Sequence, residues 1–121
     1  YASIPNQNLF IIRFIKLSNM GDDIALGGNI QLTGFRDIDS SSMVVLKKII
    51  GNHARRISEL TKRMESLHIT LKSVHEREKS EKYEVHAKVV DDGKVCASEA
   101  IDRNLFVAVD DVLKKLVNEL D

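Results

Sequence analysis

The stretch "YEVHAKVVDDGKVCASE", residues 83–99, alternates apolar and polar side chains on both sides of an Asp-Asp-Gly break. A period of two marks half-buried β-strand rather than helix. Tyr83, Val85, Ala87 and Val89 form one side of the first run, and Glu84, His86 and Lys88 form the other. Asp91, Asp92 and Gly93 read as a hairpin turn, with Gly93 suited to positive φ. Beyond it, Val95 and Ala97 are the inward candidates. Matching the inward sets pairs Val89 with Val95 and Ala87 with Ala97. Lys88 is then expected opposite Cys96, and His86 opposite Ser98.

Downstream the period changes. Asp102 or Asn104 caps a helix whose stripe is Leu105, Val109, Val112, Leu116 and Leu120, widened by Phe106, Leu113 and Val117. Upstream, "LHITLKSV" (residues 67–74) is a second strand with Ile69 and Leu71 inward, placing His86 against Thr70 or Lys72. Between these strands "EREKSEK" (76–82) alternates charge and reads as a solvated loop. Further back, residues 43–66 carry Leu46, Ile50, Ala54, Ile57, Leu60 and Met64 at steps of three and four, a single helical stripe. Gly51 interrupts it at a cost of roughly 1 kcal/mol. Asp39, Ser40 and Ser41 are the N-cap candidates. "NIQLTGF" (29–35) is a first strand with Ile30 and Leu32 inward.

The expected fold is therefore α+β: β-α-β-β-β-α, a four-stranded, mainly antiparallel sheet with two helices packed on one face. The 121 residues suit one domain with one core. Residues 29–121 are expected to form that domain. Residues 1–28 are expected to be an extension or linker, either disordered or a sequence artefact. "LFIIRFIKL" (9–17) is too short and too interrupted by Arg13 and Lys16 for a membrane span, which needs about 20 apolar residues, and it fits a signal peptide poorly. Met20 is an alternative start, and "GDDIALGG" (21–28) reads as a linker.

Cys96 is the only cysteine, which excludes an intrachain disulfide and a multi-cysteine zinc site. His68, His86 and Cys96 are expected on the outer sheet face, but interleaved lysines argue against metal ligation there. A Cys96–His86 dyad lacks a pocket and oxyanion donors, and Gly27–Gly28 lacks a phosphate-loop motif. No catalytic residue, metal site or cofactor is expected, and the chain reads as a non-enzyme.

Net charge is zero, with 18 basic and 18 acidic residues, but the distribution is uneven. Lys47, Lys48, Arg55, Arg56, Lys62 and Arg63 face only Glu59 and Glu65 over the first helical stretch. Lys48, Arg55 and Lys62 recur every seven residues, and Arg56 and Arg63 repeat that spacing beside them. Such a stripe can track a phosphate backbone. Lys114 and Lys115 add charge on the last helix.

The segment "DDGKVCASEAIDRNLFVAVDDVLKKLVNEL" (91–120) resembles the ribosome hibernation-promoting factor and ribosome-associated translation inhibitor family in its short form. The positions that carry the likeness are Ala97, Ser98, Phe106, Ala108, Val109, Asp110, Lys115 and Leu116. "SLHITLKSV" (66–74) and "IQLTGF" (30–35), with Thr33, Gly34 and Arg36, resemble the family's second and first strands. Asn104 and Phe106 depart from the family's usual Asp and Tyr, and its common basic tail is not in this sequence. The resemblance implies binding of the small ribosomal subunit and its rRNA in the mRNA/tRNA cleft, inhibiting translation. It also implies a cytoplasmic location and no membrane or small-molecule partner. A monomer in solution is expected. Arg56 and Lys115 match basic family positions, and Lys114 adjoins one. Arg36 stands near another, whereas Lys48, Arg55, Lys62 and Arg63 come from the stripe alone. A double-stranded RNA-binding module is an alternative, as is a small oligomeric ligand-binding domain or enzyme.

Overall fold

The computed structural model describes residues 23–27, 29–75 and 81–121. Met20 and most of the expected extension lie outside them. The elements run β1 (Asp23–Gly27), β2 (Ile30–Thr33), α1 (Ser40–Leu60), β3 (Met64–His75), β4 (Glu81–Asp91), β5 (Lys94–Asp102) and α2 (Leu105–Leu120). The strands lie in the order β1-β2-β3-β4-β5. The β2–β3 pair across α1 is parallel and the other pairs are antiparallel. The expected four-stranded, mainly antiparallel β-α-β-β-β-α arrangement holds, with one addition. Asp23–Gly27, read as linker, is a short edge strand against β2. Its single alternation is too brief to register as a period in sequence.

The core is aliphatic, as a chain without tryptophan requires. Leu32, Leu67, Ile69, Leu71, Val85, Ala87 and Val89 point from the sheet onto Leu46, Ile50, Ala54 and Ile57 of α1. From α2 they meet Leu105, Ala108, Val109, Val112, Leu113 and Leu116. Phe35 is also buried. Each helix contributes one stripe, which buries both helices on the same face of the sheet.

The β3–β4 register sets Thr70 opposite His86, one of the two expected partners. The β4–β5 register differs from expectation by one residue. Val89 faces Cys96, Ala87 faces Ser98, and His86 faces Glu99. The cause lies in the turn. Asp92 (φ 51°) and Gly93 (φ 84°) both adopt positive φ, and Asp91 pairs with Lys94, so the connection is a two-residue hairpin of the type I′ kind. That parity turns Cys96, Ser98 and Ala100 inward and Val95, Ala97 and Glu99 outward. Val95 is 62% exposed, which corrects its inward assignment. Ser98 faces α2 and satisfies its hydroxyl by donating to the Val112 carbonyl at 2.8 Å. Cys96 donates to Glu119 of α2, so it leaves the outer face and with it any pairing with His86.

Helix α1 also ends earlier than its stripe suggests. Thr61 turns extended (φ −100°, ψ 150°), and its amide and hydroxyl both donate to the Ile57 carbonyl. Met64 then begins β3 instead of closing a helical stripe. The β4–β5 turn holds this change in place. Arg63 donates its amide to Asp91 Oδ1 (2.8 Å), and its carbonyl accepts from the Asp92 amide (3.0 Å). The Gly93 amide donates to Glu65 Oε2 (2.8 Å), at the bulge where the β3–β4 register shifts. The expected loop over 76–82 is shorter too: Glu81 and Lys82 are in β4.

Candidate nucleic-acid interface

Helix α1 positions the best-grouped cations. Its buried residues Leu46, Ile50, Ala54 and Ile57 fix which way the helix faces. Lys48 and Arg55 lie on the opposite side of the cylinder from that stripe, and both are exposed. Seven residues put their Cα atoms about 10 Å apart along the axis. Neither has a carboxylate partner among the described residues. Arg56 is also exposed, on the flank three residues from His53, and lies 3.4 Å from Glu59. At that distance and exposure the ion pair contributes on the order of 0.3 kcal/mol and leaves the guanidinium accessible.

The other expected site residues are dispersed. Lys62 and Arg63 are exposed but stand beyond the helix, so the seven-residue repeat from Lys48 through Arg55 stops there. Arg36 is exposed in the turn before α1. The helix between them has 21 residues and spans about 30 Å. These three therefore flank the ends of α1 and do not join one patch.

On α2, Lys114 and Lys115 are exposed but engaged. Lys115 Nζ donates to the Glu99 carbonyl of β5 at 2.9 Å. Lys114 Nζ lies 2.9 Å from Asp110 Oδ2, and His53 Nε2 of α1 meets Asp110 Oδ1 at 2.7 Å. This His53–Asp110–Lys114 cluster ties the two helices together. The His53 hydrogen bond, then Lys114, holds the Asp110 carboxyl below its ordinary range, and Asp110 in turn raises the Lys114 ammonium. Asp111 and Glu119 further dilute the positive charge of this helix.

The opposite sheet face carries a second polar group. Thr33 Oγ1 and His68 Nε2 are 2.6 Å apart. His86 bonds Glu84 through Nε2, and its Nδ1 lies 3.6 Å from Glu99 Oε2. The His86 hydrogen bond chiefly, helped by its charge and that of Lys72, lowers the Glu84 carboxyl. Glu99, not Ser98, is the β5 neighbour of His86. The Asp-Gly pair is the signal for it, because a two-residue turn makes paired numbers sum to an odd value.

No protein-family model matches the chain, and no curated protein matches it. Among solved structures it is similar to a ribosomal subunit interface protein from Coxiella burnetii. The TM-score is 0.52 and the identity 21%, over 75% of this chain and 91% of that one. The two proteins share a fold. No helix among the described residues is long and apolar enough to cross a membrane.

Proposed function

We propose that the chain is a ribosome-associated translation inhibitor, a non-enzymatic hibernation factor that binds small-subunit rRNA in the mRNA/tRNA cleft. The outward face of α1 is its contact surface. The observation that carries this reading is the exposed Lys48–Arg55 face with Arg56 beside it, on a fold shared with a ribosomal subunit interface protein. The sequence resemblance over residues 29–120 supports the same partner. Lys48 and Arg55 supply charge without a competing carboxylate among the described residues, which favours phosphate over an internal ion pair. Arg36, Lys62 and Arg63 make separate contacts beyond the ends of α1. The protein acts in the cytoplasm, as a monomer, without cofactor or small-molecule substrate.

Cosedimentation with purified small subunits tests the proposal. The wild-type chain is expected to comigrate at low salt and to dissociate steeply as salt rises. Arg55→Glu/Arg56→Glu is expected to bind at least about tenfold more weakly, because it replaces two phosphate contacts by repulsion. Absence of comigration at low salt overturns the proposal. Equal affinity for plain duplex RNA in a gel shift replaces it with a generic double-stranded RNA-binding role.

A further inference from the structure

The one-residue register shift assembles a group that faces away from both helices. Glu84 and His86 alternate on β4 and share its outer face, and Glu99 lies directly opposite His86 on β5. One ligand atom from each of the three lies within 4.8 Å of the others. Their side chains remain reachable, at 26% exposure for Glu84, 36% for His86 and 71% for Glu99.

The His86 ring stands between two carboxylates. Glu84 sits at one ring nitrogen of His86 and Glu99 near the other. A neutral imidazole has one N–H and one lone pair, and an ionised carboxylate only accepts. The ring can therefore satisfy one carboxylate and turns a lone pair toward the second. A metal ion shared by a ring nitrogen and the carboxylates would meet that lone pair. Two carboxylates and one imidazole suit a borderline divalent transition ion better than Mg2+ or Ca2+, which prefer all-oxygen shells. Lys72 of β3, paired with Glu84 of β4, and Lys88, two residues beyond His86, border the group. Both are exposed and free to extend their ammonium groups into solvent.

We propose that Glu84, His86 and Glu99 form a surface site for a borderline divalent transition-metal ion such as Zn2+, with water completing the shell. The site is independent of the ribosome reading, since it lies on the sheet face opposite α1. Isothermal titration of the untagged chain with ZnCl2 near neutral pH tests it. One saturable site is expected, unaffected by millimolar Mg2+. His86→Ala and Glu99→Gln should each weaken binding by at least about tenfold, since losing even an outer-shell partner costs that much. His68→Ala and His75→Ala should leave it unchanged. Circular dichroism verifies that each variant is folded, and Glu99→Gln keeps the test decisive if His86→Ala is not. Absence of saturable binding overturns the proposal. Binding that survives both His86→Ala and Glu99→Gln, or depends on His68 or His75, overturns it as well.

Discussion

Gly34 and Gly51 carry opposite consequences for the same substitution. Gly34 has φ +87°, and a Cβ there would stand 2.2 Å from the Leu71 carbonyl oxygen of β3. An alanine meets both a left-handed backbone penalty of roughly 1–2 kcal/mol and a collision with a strand that cannot yield without disturbing the sheet. Gly34→Ala is expected to destabilise by at least about 2 kcal/mol in urea denaturation. Gly51 lies inside α1 with nothing within 4 Å of its missing Cβ. Gly51→Ala is expected to stabilise by about 0.5–1 kcal/mol, the helix-propensity difference alone. The helical cost of Gly51 is legible in sequence, whereas the close approach at Gly34 depends on a strand 37 residues away. Asp92 differs from Gly34, because the Asp-Gly pair does signal a two-residue turn. The positive φ at Asp92 beside that at Gly93 then settles which face Glu99 occupies.

At the scale of elements, the helix starts were legible and one helix end was not. Asp39 caps α1 by accepting from the Ser42 amide, and Asn104 caps α2 by accepting from the Phe106 and Val107 amides. Both were among the candidates, because short polar side chains before an apolar stripe satisfy otherwise orphaned amides. Asn104→Ala is expected to cost about 1 kcal/mol, a Tm fall of roughly 5 °C. The Asp39 cap is sensitive to acid. The Ser41 hydroxyl chiefly, then the Ser42 amide, holds its carboxyl down from 3.8 to about 2. A depressed folded-state value means the charged cap stabilises fully above about pH 4, and that its contribution fades as the pH falls through 2. The Tm advantage of the wild type over Asp39→Ala is therefore expected to be constant from pH 7 to 5 and to shrink between pH 4 and 2. An advantage undiminished at pH 2 contradicts a charged cap. The end of α1 is not legible in sequence because Leu60 and Met64 keep helical spacing, and neither Gly nor Pro follows. What ends it is tertiary: the β4–β5 turn takes the amide and carbonyl of Arg63 and the carboxylate of Glu65.

Across the whole molecule, zero net charge conceals a difference between the two helices that share one face. Within α1, Lys47, Lys48, Arg55 and Arg56 oppose only Glu59, whereas α2 sets Lys114 and Lys115 among Asp110, Asp111 and Glu119. The sequence already showed basic residues on both helices. It did not show that Lys114 is held by Asp110, that Lys115 is tied to β5, or that Lys62 and Arg63 leave the stripe. Counterion release turns this asymmetry into a measurable slope, since each phosphate contact contributes roughly 0.7–0.9 units to the dependence of log K on log salt. Lys48→Ala/Arg55→Ala is expected to flatten the slope for small-subunit binding by about 1.5 units, the loss of two contacts. Lys114→Ala/Lys115→Ala removes the same formal charge but is expected to change the slope by less than about 0.5 units, because Asp110 already offsets Lys114 and Lys115 is occupied at the sheet edge. Equal flattening by the two pairs would mean that RNA draws both α2 lysines from their partners, and the interface would then span both helices instead of following α1.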